Sequence, residues 1–450
     1  MSVREGYKQT EIGVIPEEWE VVRLDEVCSQ IIGGGTPSKK NPVYWDGDIP
    51  WATVKDMDGS KYLSSTGDTI TEIGLVNSSA NLIPANNIIT ATRMGIGRFF
   101  INLVDMAINQ DLKALIVDTS TFHKDYIFWS LQAKSKQLEE MGTGTTVKGV
   151  SLSEFKKLKL VKPPLPEQQK IAAILTGVDN KIAVIDEQIA KTEALKKGLM
   201  QKLLSEGIGH MRAVKSDDNC LSSVGSEPEA LCHGTADGFK ESEIGRIPKE
   251  WEVSLLKNMC INITVGIATS TSKHCIESGG IPLLRNQNIL ENKIDTTDLL
   301  YINHEFDNDN KSKRLKAGDI LIVRTGYPGI SAVVDKSMEG WQTFTTLIAR
   351  PDKNKINSDY MAYYLNSDIG KSVITGLQAG GAQKNLNVSS INKLKIAIPS
   401  LLEQKQIAAI LSTTDEKLDT LREKKSRYEK LMLTGEVRVK PYNEAAKEIK

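Results

Sequence analysis

Two copies of one frame lie end to end in this chain, and that duplication limits its fold more than any other feature of the 450 residues. The segment YKQTEIGVIPEEWEV from Tyr7 returns 232 residues later as FKESEIGRIPKEWEV from Phe239, with ten of fifteen positions identical. A second block, EQQKIAAIL from Glu167, returns 236 residues later as EQKQIAAIL from Glu403. Each copy has the same order: an IP-x-EW opening, a region of roughly 140 residues, then a helical tail. The intervening regions have diverged. They keep echoes at Ile49-Pro50 and Ile281-Pro282, at Arg93-Met94-Gly95 and Arg324-Thr325-Gly326, and at VSLSEFKKLKL from Val150 and LNVSSINKLKI from Leu386. Like frames with unlike inserts are expected when the frames do one structural job and the inserts recognise two different things. Neutral drift of surface loops is the plainer alternative.

Short β-like runs bounded by turn residues fill the inserts, as in ANNIITATRMGIGRFFI, GDILIVRTGYPGISAVVD and LKALIV. Helical stretches such as KDYIFWSLQAKSKQLEEM and SDYMAYYLNSDIGKSVI accompany them, so each insert reads as a mixed α/β globule. The predicted fold is two such globules joined by two long antiparallel coiled-coil helices, with pseudo-two-fold symmetry. The boundaries read as a first globule at 1–165, a helix at 166–207 and a polar linker at 208–238, followed by a second globule at 239–401, a helix at 402–435 and a tail at 436–450.

In the first tail, apolar residues recur at Ile171, Ile174, Leu175, Val178, Ile182, Ile185, Ile189, Leu199 and Leu203, the three-and-four spacing of a coiled-coil seam that Thr192 and Lys196 interrupt. The second tail repeats this through Ile407, Ile410, Leu411, Leu418, Leu421, Tyr428 and Met432, with Thr414 and Lys425 at seam positions. Each stripe is expected to bury against the other. From Asp179 to Leu204 and from Asp415 to Leu433, the second tail is shorter by seven residues, one heptad, which keeps the seam in phase. Seven helical residues span roughly 10 Å, and a first helix from Glu167 to Glu206 would span roughly 60 Å, a strut able to hold two globules tens of ångströms apart.

Charge gives no overall signal, because 57 basic residues meet 57 acidic ones. A basic groove balanced by acidic surfaces elsewhere is still compatible with a nucleic-acid partner. The five cysteines (Cys28, Cys220, Cys232, Cys260, Cys275) form no CxxC pair and read as reduced thiols. No apolar run is long enough to span a membrane and MSVREGYKQTEIG has no signal-peptide core, so a cytoplasmic location is expected.

Catalytic motifs fail in detail. Asn41-Pro42-Val43-Tyr44 approaches the Asn/Asp-Pro-Pro-aromatic loop of amino-methylating enzymes, but Val43 replaces the second proline and no Gly-rich cofactor turn precedes it. The run Gly33-Gly34-Gly35-Thr36-Pro37-Ser38-Lys39 lacks the GK[ST] ending of a phosphate cradle and reads as a flexible loop. The histidines at 123, 210, 233, 274 and 304 follow no metal-binding spacing, so neither a metal site nor a cofactor is expected in this chain. On the residues alone, two other classes stay open: a stand-alone adenine-N6 methyltransferase, and a coiled-coil scaffold without DNA recognition.

Together, the duplicated TEIG-x-IP-x-EW opening, PLPEQQKIAAIL leading into a long helix, GGGTPSKKNPVYWDGDIPW from Gly33 and LTGEVRV from Leu433 resemble the specificity subunit of type I restriction-modification systems over nearly the whole chain. The resemblance implies two target-recognition domains, each reading half of a split asymmetric double-stranded DNA site, and two helices that set the unread spacing. It also implies two methyltransferase (modification) subunits docked on that framework, with motor-nuclease (restriction) subunits beyond them. S-adenosylmethionine, ATP and Mg would sit on those partners, and this subunit would be non-catalytic. The 208–238 linker is longer and more polar than the pattern leads one to expect.

Phosphate contacts call for Lys and Arg, and base edges for Arg, Lys, Asn or Gln. In the first insert the candidates are Lys39, Lys40, Tyr44, Trp45, Arg93 and Lys148, from the Gly-rich loop, the echoed Arg turn and the GTGTTVKG loop. In the second they are Lys273, Arg285, Asn286, Gln287, Arg324, Gln383, Lys384 and Asn385. Trp45 and Arg93 are equally suited to be structural anchors. Because Arg93 and Arg324 occur in both copies, they suit a phosphate contact or a fold-holding role better than reading different bases.

Overall fold

A computed structural model describes residues 5–142, 149–209, 238–379 and 385–434. It divides into two units, one holding the residues up to Asp186 together with those from Lys424, the other Glu187–Glu423.

In the first unit, Gly13 turns the opening hairpin (Tyr7–Thr10 with Gly13–Pro16) at φ +121°, a backbone region open chiefly to glycine, and the Thr10 hydroxyl donates to the Gly13 carbonyl at 2.7 Å. The main sheet has five strands in the order Cys28–Gly33, Leu112–Val117, Ile88–Ala91, Phe99–Asn102, Tyr62–Leu63. Its central strand Ile88–Ala91 is buried on both faces, which is why it is apolar throughout apart from Thr90. A smaller sheet orders Thr69–Ile70, Trp45–Ala52, Met106–Ile108 and Leu82–Ile83. Helix Lys124–Gln132 packs Ile127, Phe128 and Leu131 into the core that Leu24, Ile88, Ile101 and Leu115 share.

The second unit repeats this plan with a four-stranded main sheet, Cys260–Val265, Leu347–Pro351, Ile320–Ile322, Ser331–Val333, and a smaller one, Cys275–Ile276, Leu300–Ile302, Ile281–Leu284, Gln342–Thr343. Pairing matches too: Ile88 faces Leu115 and Ile101, while Ile320 faces Ala349 and Val333. The opening hairpin recurs, with Ser242 donating to the Gly245 carbonyl at 2.6 Å.

Helices Leu165–Glu206 and Leu401–Thr434 are the two predicted tails. The repeated Glu-Gln pair at the start of each locks it to a globule. Trp19 Nε1 donates to Glu167 at 2.9 Å, and Trp251 Nε1 to Glu403 at 3.2 Å. Gln168, fully buried, accepts from the His123 amide at 2.9 Å and donates to the Pro163 carbonyl at 2.9 Å. Gln404, also fully buried, does the same with the Asn357 amide at 2.8 Å and the Pro399 carbonyl at 2.9 Å.

The helices run antiparallel within each unit. In the first, Lys181 lies over the Tyr428 ring and Asp186 pairs with Lys425 at 2.6 Å; in the second, Glu193 meets Arg422 at 2.6 Å and Lys196 meets Asp415 at 2.5 Å. Lys196 and Lys425, read from the sequence as breaks in the seam, therefore carry cross-helix ion pairs. Of the seam residues, Ile185, Leu203, Ile407, Leu411, Leu418 and Leu421 are buried, whereas Ile171, Leu175, Val178, Ile182, Ile189, Leu199 and Tyr428 are partly buried. The Met432 side chain lies outside the described residues.

Burial of one stripe against the other holds only in part. Ile171 and Leu175 pack on the first unit's core, and Leu199, Leu203, Ile407 and Leu411 on the second's, because the globules cover the helix ends. Fully burying Leu203 and Leu204 is worth about 1.5–3 kcal/mol each. Past them Gly207, at φ +74°, closes the helix with its amide on the Leu203 carbonyl at 3.2 Å.

Candidate nucleic-acid interface

In the first unit, the loop after strand Cys28–Gly33 carries Lys39 and Lys40, both exposed. Its glycines are not the flexible run expected from the sequence. A Cβ on Gly34 would fall 1.9 Å from the Ile108 carbonyl oxygen and one on Gly35 2.1 Å from Ser79 Oγ, so glycine is required by close packing. Two tryptophans fasten the loop: Trp51 Nε1 donates to the Gly35 carbonyl at 2.9 Å and Trp45 Nε1 to the Ser38 carbonyl at 3.2 Å, with the rings edge-on at 5.1 Å. Tyr44, half-buried, ends a short 3-10 turn (Pro42–Tyr44) capped by Asn41, whose side chain accepts from the Val43 amide.

Arg93 follows the central strand, is exposed, and lies 3.7 Å from Asp111. Its backbone bridges to Gly149, and Lys148 lies outside the described residues. Lys113 stands in the same cluster. Burial holds its ammonium below the usual lysine range, Asp111 opposes that shift and Arg93 adds to it. Thr36 Oγ1 donates to Gln110 at 2.5 Å, tying the Lys39–Lys40 loop to the Arg93–Asp111–Lys113 cluster.

In the second unit Arg285, Asn286, Gln287 and Arg324 are each already held by a neighbouring group. Arg285 pairs with Asp298 at 2.7 Å, and Gln287 Nε2 donates to the same carboxylate at 3.1 Å. Asn286 donates to Thr325 Oγ1 at 2.9 Å and accepts from Thr346 Oγ1 at 3.2 Å. Arg324 Nε donates to the Leu386 carbonyl at 3.1 Å, while the Leu386 amide returns a bond to the Arg324 carbonyl at 3.0 Å. Asn385 is exposed beside them; Gln383 and Lys384 lie outside the described residues. Lys273 is exposed in the loop before Cys275–Ile276, and among the described residues no hydrogen bond or ion pair joins it to these side chains.

Arg93 and Arg324 occupy equivalent places: each follows the central strand, and each is joined through its backbone to the segment leading into the last short helix. Sequence reading passed over Gln110, Asp111 and Lys113, and Asp298, Thr325 and Thr346. The available signal was the polar run Asn109-Gln110-Asp111 just before strand Leu112–Val117 and the Thr345-Thr346 pair just before Leu347–Pro351; Asp298 has no such marker.

The sequence profile described as the type I restriction modification DNA specificity domain matches residues 16–194 and again 248–429. The chain belongs to this family. It is a specificity subunit, and in this family catalysis sits on other subunits. Among its relatives is the type I restriction enzyme MjaVIII specificity subunit of Methanocaldococcus jannaschii, 28% identical over 98% of this chain and 97% of that one. The EcoR124I/EcoR124II specificity subunit of Escherichia coli is 33% identical over 40% of this chain and 45% of its own length. The crystal structure of the type I restriction-modification S subunit from M. genitalium shares the fold at a TM-score of 0.58 and 14% identity, covering 96% of both chains. A chain from a structure on complex assembly and conformational transition of the type I R-M system aligns at a TM-score of 0.51 and 17% identity, covering 93% of this chain and 96% of that one. Among the described residues of this specificity subunit, no helix is long and apolar enough to cross a membrane.

Proposed function

We propose that each unit of this specificity subunit reads one half of a split, asymmetric site in double-stranded DNA, and that the two long helices set the number of unread base pairs between the halves. Two methyltransferase subunits dock on the helical framework, and motor-nuclease subunits complete an assembly that works in the cytoplasm. S-adenosylmethionine, ATP and Mg act on those partners, with no cofactor in this chain. The observation that carries the reading is the pair of like frames with an arginine in the same place and different polar loops around it. Kept arginines supply phosphate contacts of one kind to both units; the divergent loops supply two different base readings.

The test is co-expression with the cognate methyltransferase subunit in a methylation-free host, followed by mapping of N6-methyladenine. A split motif with a fixed gap, absent when either partner is omitted, supports the reading. Methylation by this chain alone, or none from a soluble assembled complex, refutes it.

A further inference from the structure

In both units two neighbouring strands of the main sheet form an antiparallel hairpin, Ile88–Ala91 with Phe99–Asn102 in one and Ile320–Ile322 with Ser331–Val333 in the other. Each connection begins near the arginine common to both copies, and beyond it the sequences part. The first continues Met94-Gly95-Ile96-Gly97, the second Thr325-Gly326-Tyr327-Pro328-Gly329. Each turn presents one large apolar side chain to solvent: Met94 is 64% exposed and Tyr327 is 78% exposed.

Neither turn is loose. Gly329 donates to the Val323 carbonyl at 3.0 Å and Val323 to the Ile330 carbonyl at 2.8 Å, closing the second hairpin beneath Tyr327. Gly326 at φ +84° and Gly329 at φ +98° take the left-handed conformations the turn needs, and Pro328 fixes its own φ between them. In the first unit Ser135 Oγ donates to the Gly97 carbonyl at 2.7 Å, and Gly95 packs against Val54. Met94 itself sits at φ +49°, a conformation that costs a non-glycine residue and persists only where its surroundings impose it. A backbone already fixed has little ordering left to lose on binding, and an exposed side chain contributes nothing to the core.

We infer that Tyr327 and Met94 are specificity-determining residues, each contacting a base pair in the half-site of its own unit, beside a sequence-independent phosphate contact from Arg324 or Arg93. The assignment rests on the half-site reading proposed above and deepens it. Tyrosine offers a ring face and a hydroxyl to a base edge. Methionine offers a conformable, polarisable surface suited to an apolar edge such as the thymine methyl. Met94 directly follows Arg93 whereas Tyr327 lies three residues past Arg324, so the same hairpin turn presents different chemistry at different positions, as two different half-sites require.

The experiment uses the full chain assembled with its methyltransferase subunits, carrying Tyr327→Ala, Tyr327→Phe or Met94→Ala. Methylation maps are compared with wild type, and binding is measured on duplexes bearing the wild-type motif with single base-pair changes. Tyr327→Ala is expected to lower discrimination at one position of one half-site by about five- to a hundredfold, the range for a single base-pair contact, and to leave the other half-site untouched. Met94→Ala should do the converse, and Tyr327→Phe should keep whatever part the ring supplies. Unchanged preferences in both half-sites overturn the assignment, as does an even loss of affinity over all sequences or a lowered melting temperature in every Tyr327 variant. If the wild-type complex yields no split motif, the half-site reading itself falls and takes this assignment with it. A split motif indifferent to both residues sinks the assignment alone.

Discussion

Replacing Gln404 by leucine should cost the second unit about 2–6 kcal/mol. The side chain is fully buried, accepts from the Asn357 amide at 2.8 Å, and donates to the Pro399 carbonyl at 2.9 Å and, more weakly, to the Lys355 carbonyl at 3.3 Å. Leucine keeps most of the volume but answers none of these groups, and each buried group left unpaired costs about 1–3 kcal/mol. Two well-made bonds lost give the quoted range. Gln168→Leu serves as an internal replicate, since it strands the His123 amide and the Pro163 carbonyl at matching distances in the first unit. A chain of two units need not unfold in one step, so the assay is native-state hydrogen exchange resolved by segment. Gln404→Leu should lower protection in the core around Trp251, Tyr360 and Leu411, and Gln168→Leu around Leu24, Ile127 and Phe155. A loss below about 1 kcal/mol in both variants, or a loss of equal size in the unit not mutated, would refute the reasoning that these glutamines lock each helix to a globule.

Three further outcomes are expected. A double-mutant cycle on Lys196 and Asp415, whose side chains are only 17% and 29% exposed, should return a coupling of about 1–2 kcal/mol, against about 0.5 kcal/mol or less for the exposed Lys191–Glu187 pair, read from chemical denaturation. Burial raises the Asp179 carboxyl above its usual range, with Lys61 opposing the shift, so its ionised form is disfavoured in the fold at neutral pH. Asp179→Asn should therefore raise the melting temperature at pH 7, and the gain should shrink as pH falls through the raised carboxyl pKa, where the wild-type group takes up a proton and the penalty lapses. Gly34→Ala, which drives a Cβ onto the Ile108 carbonyl, should destabilise by more than about 2 kcal/mol, whereas Gly177→Ala on the first long helix, with open space around it, should stabilise by about 0.5–1 kcal/mol in thermal melts.

What the sequence made legible was periodic or repeated. Seam spacing gave the two helices, and alternation with turn residues gave the strands around Ile88 and Ile320, because both signals are local. What the repeated motifs do was not legible. Trp19 and Glu167 lie 148 positions apart, and nothing in either segment names the other as its hydrogen-bond partner. The interface divides the same way. The exposure of Lys39 and Lys40 was legible in the polar Gly-rich loop that carries them, but the capture of Arg285 and Gln287 by Asp298 depends on a loop returning to meet them. The glycine run was misread for a related reason: a sequence records the missing Cβ as freedom, and at Gly34 the fold uses it as clearance.

Side chains kept in both copies and side chains that differ between them divide by direction, inward and outward. Trp19 and Trp251, Glu167 and Glu403, Gln168 and Gln404, and Tyr126 and Tyr360, whose hydroxyls donate to the Val161 and Ala397 carbonyls, all fasten a globule to its long helix or to the strand leading into it. Their hydrogen bonds are internal, so replacing one partner leaves the other stranded. Met94, Tyr327, Lys39 and Asn385 differ between the copies and face solvent, where exchange leaves no partner unsatisfied and stability changes little. Arg93 and Arg324 fall between these classes: their backbones hold the segment ahead of the last short helix, while the Arg93 side chain remains largely exposed. A frame that confines its obligatory bonds to the helix junctions can alter its exposed turns without loosening the helices.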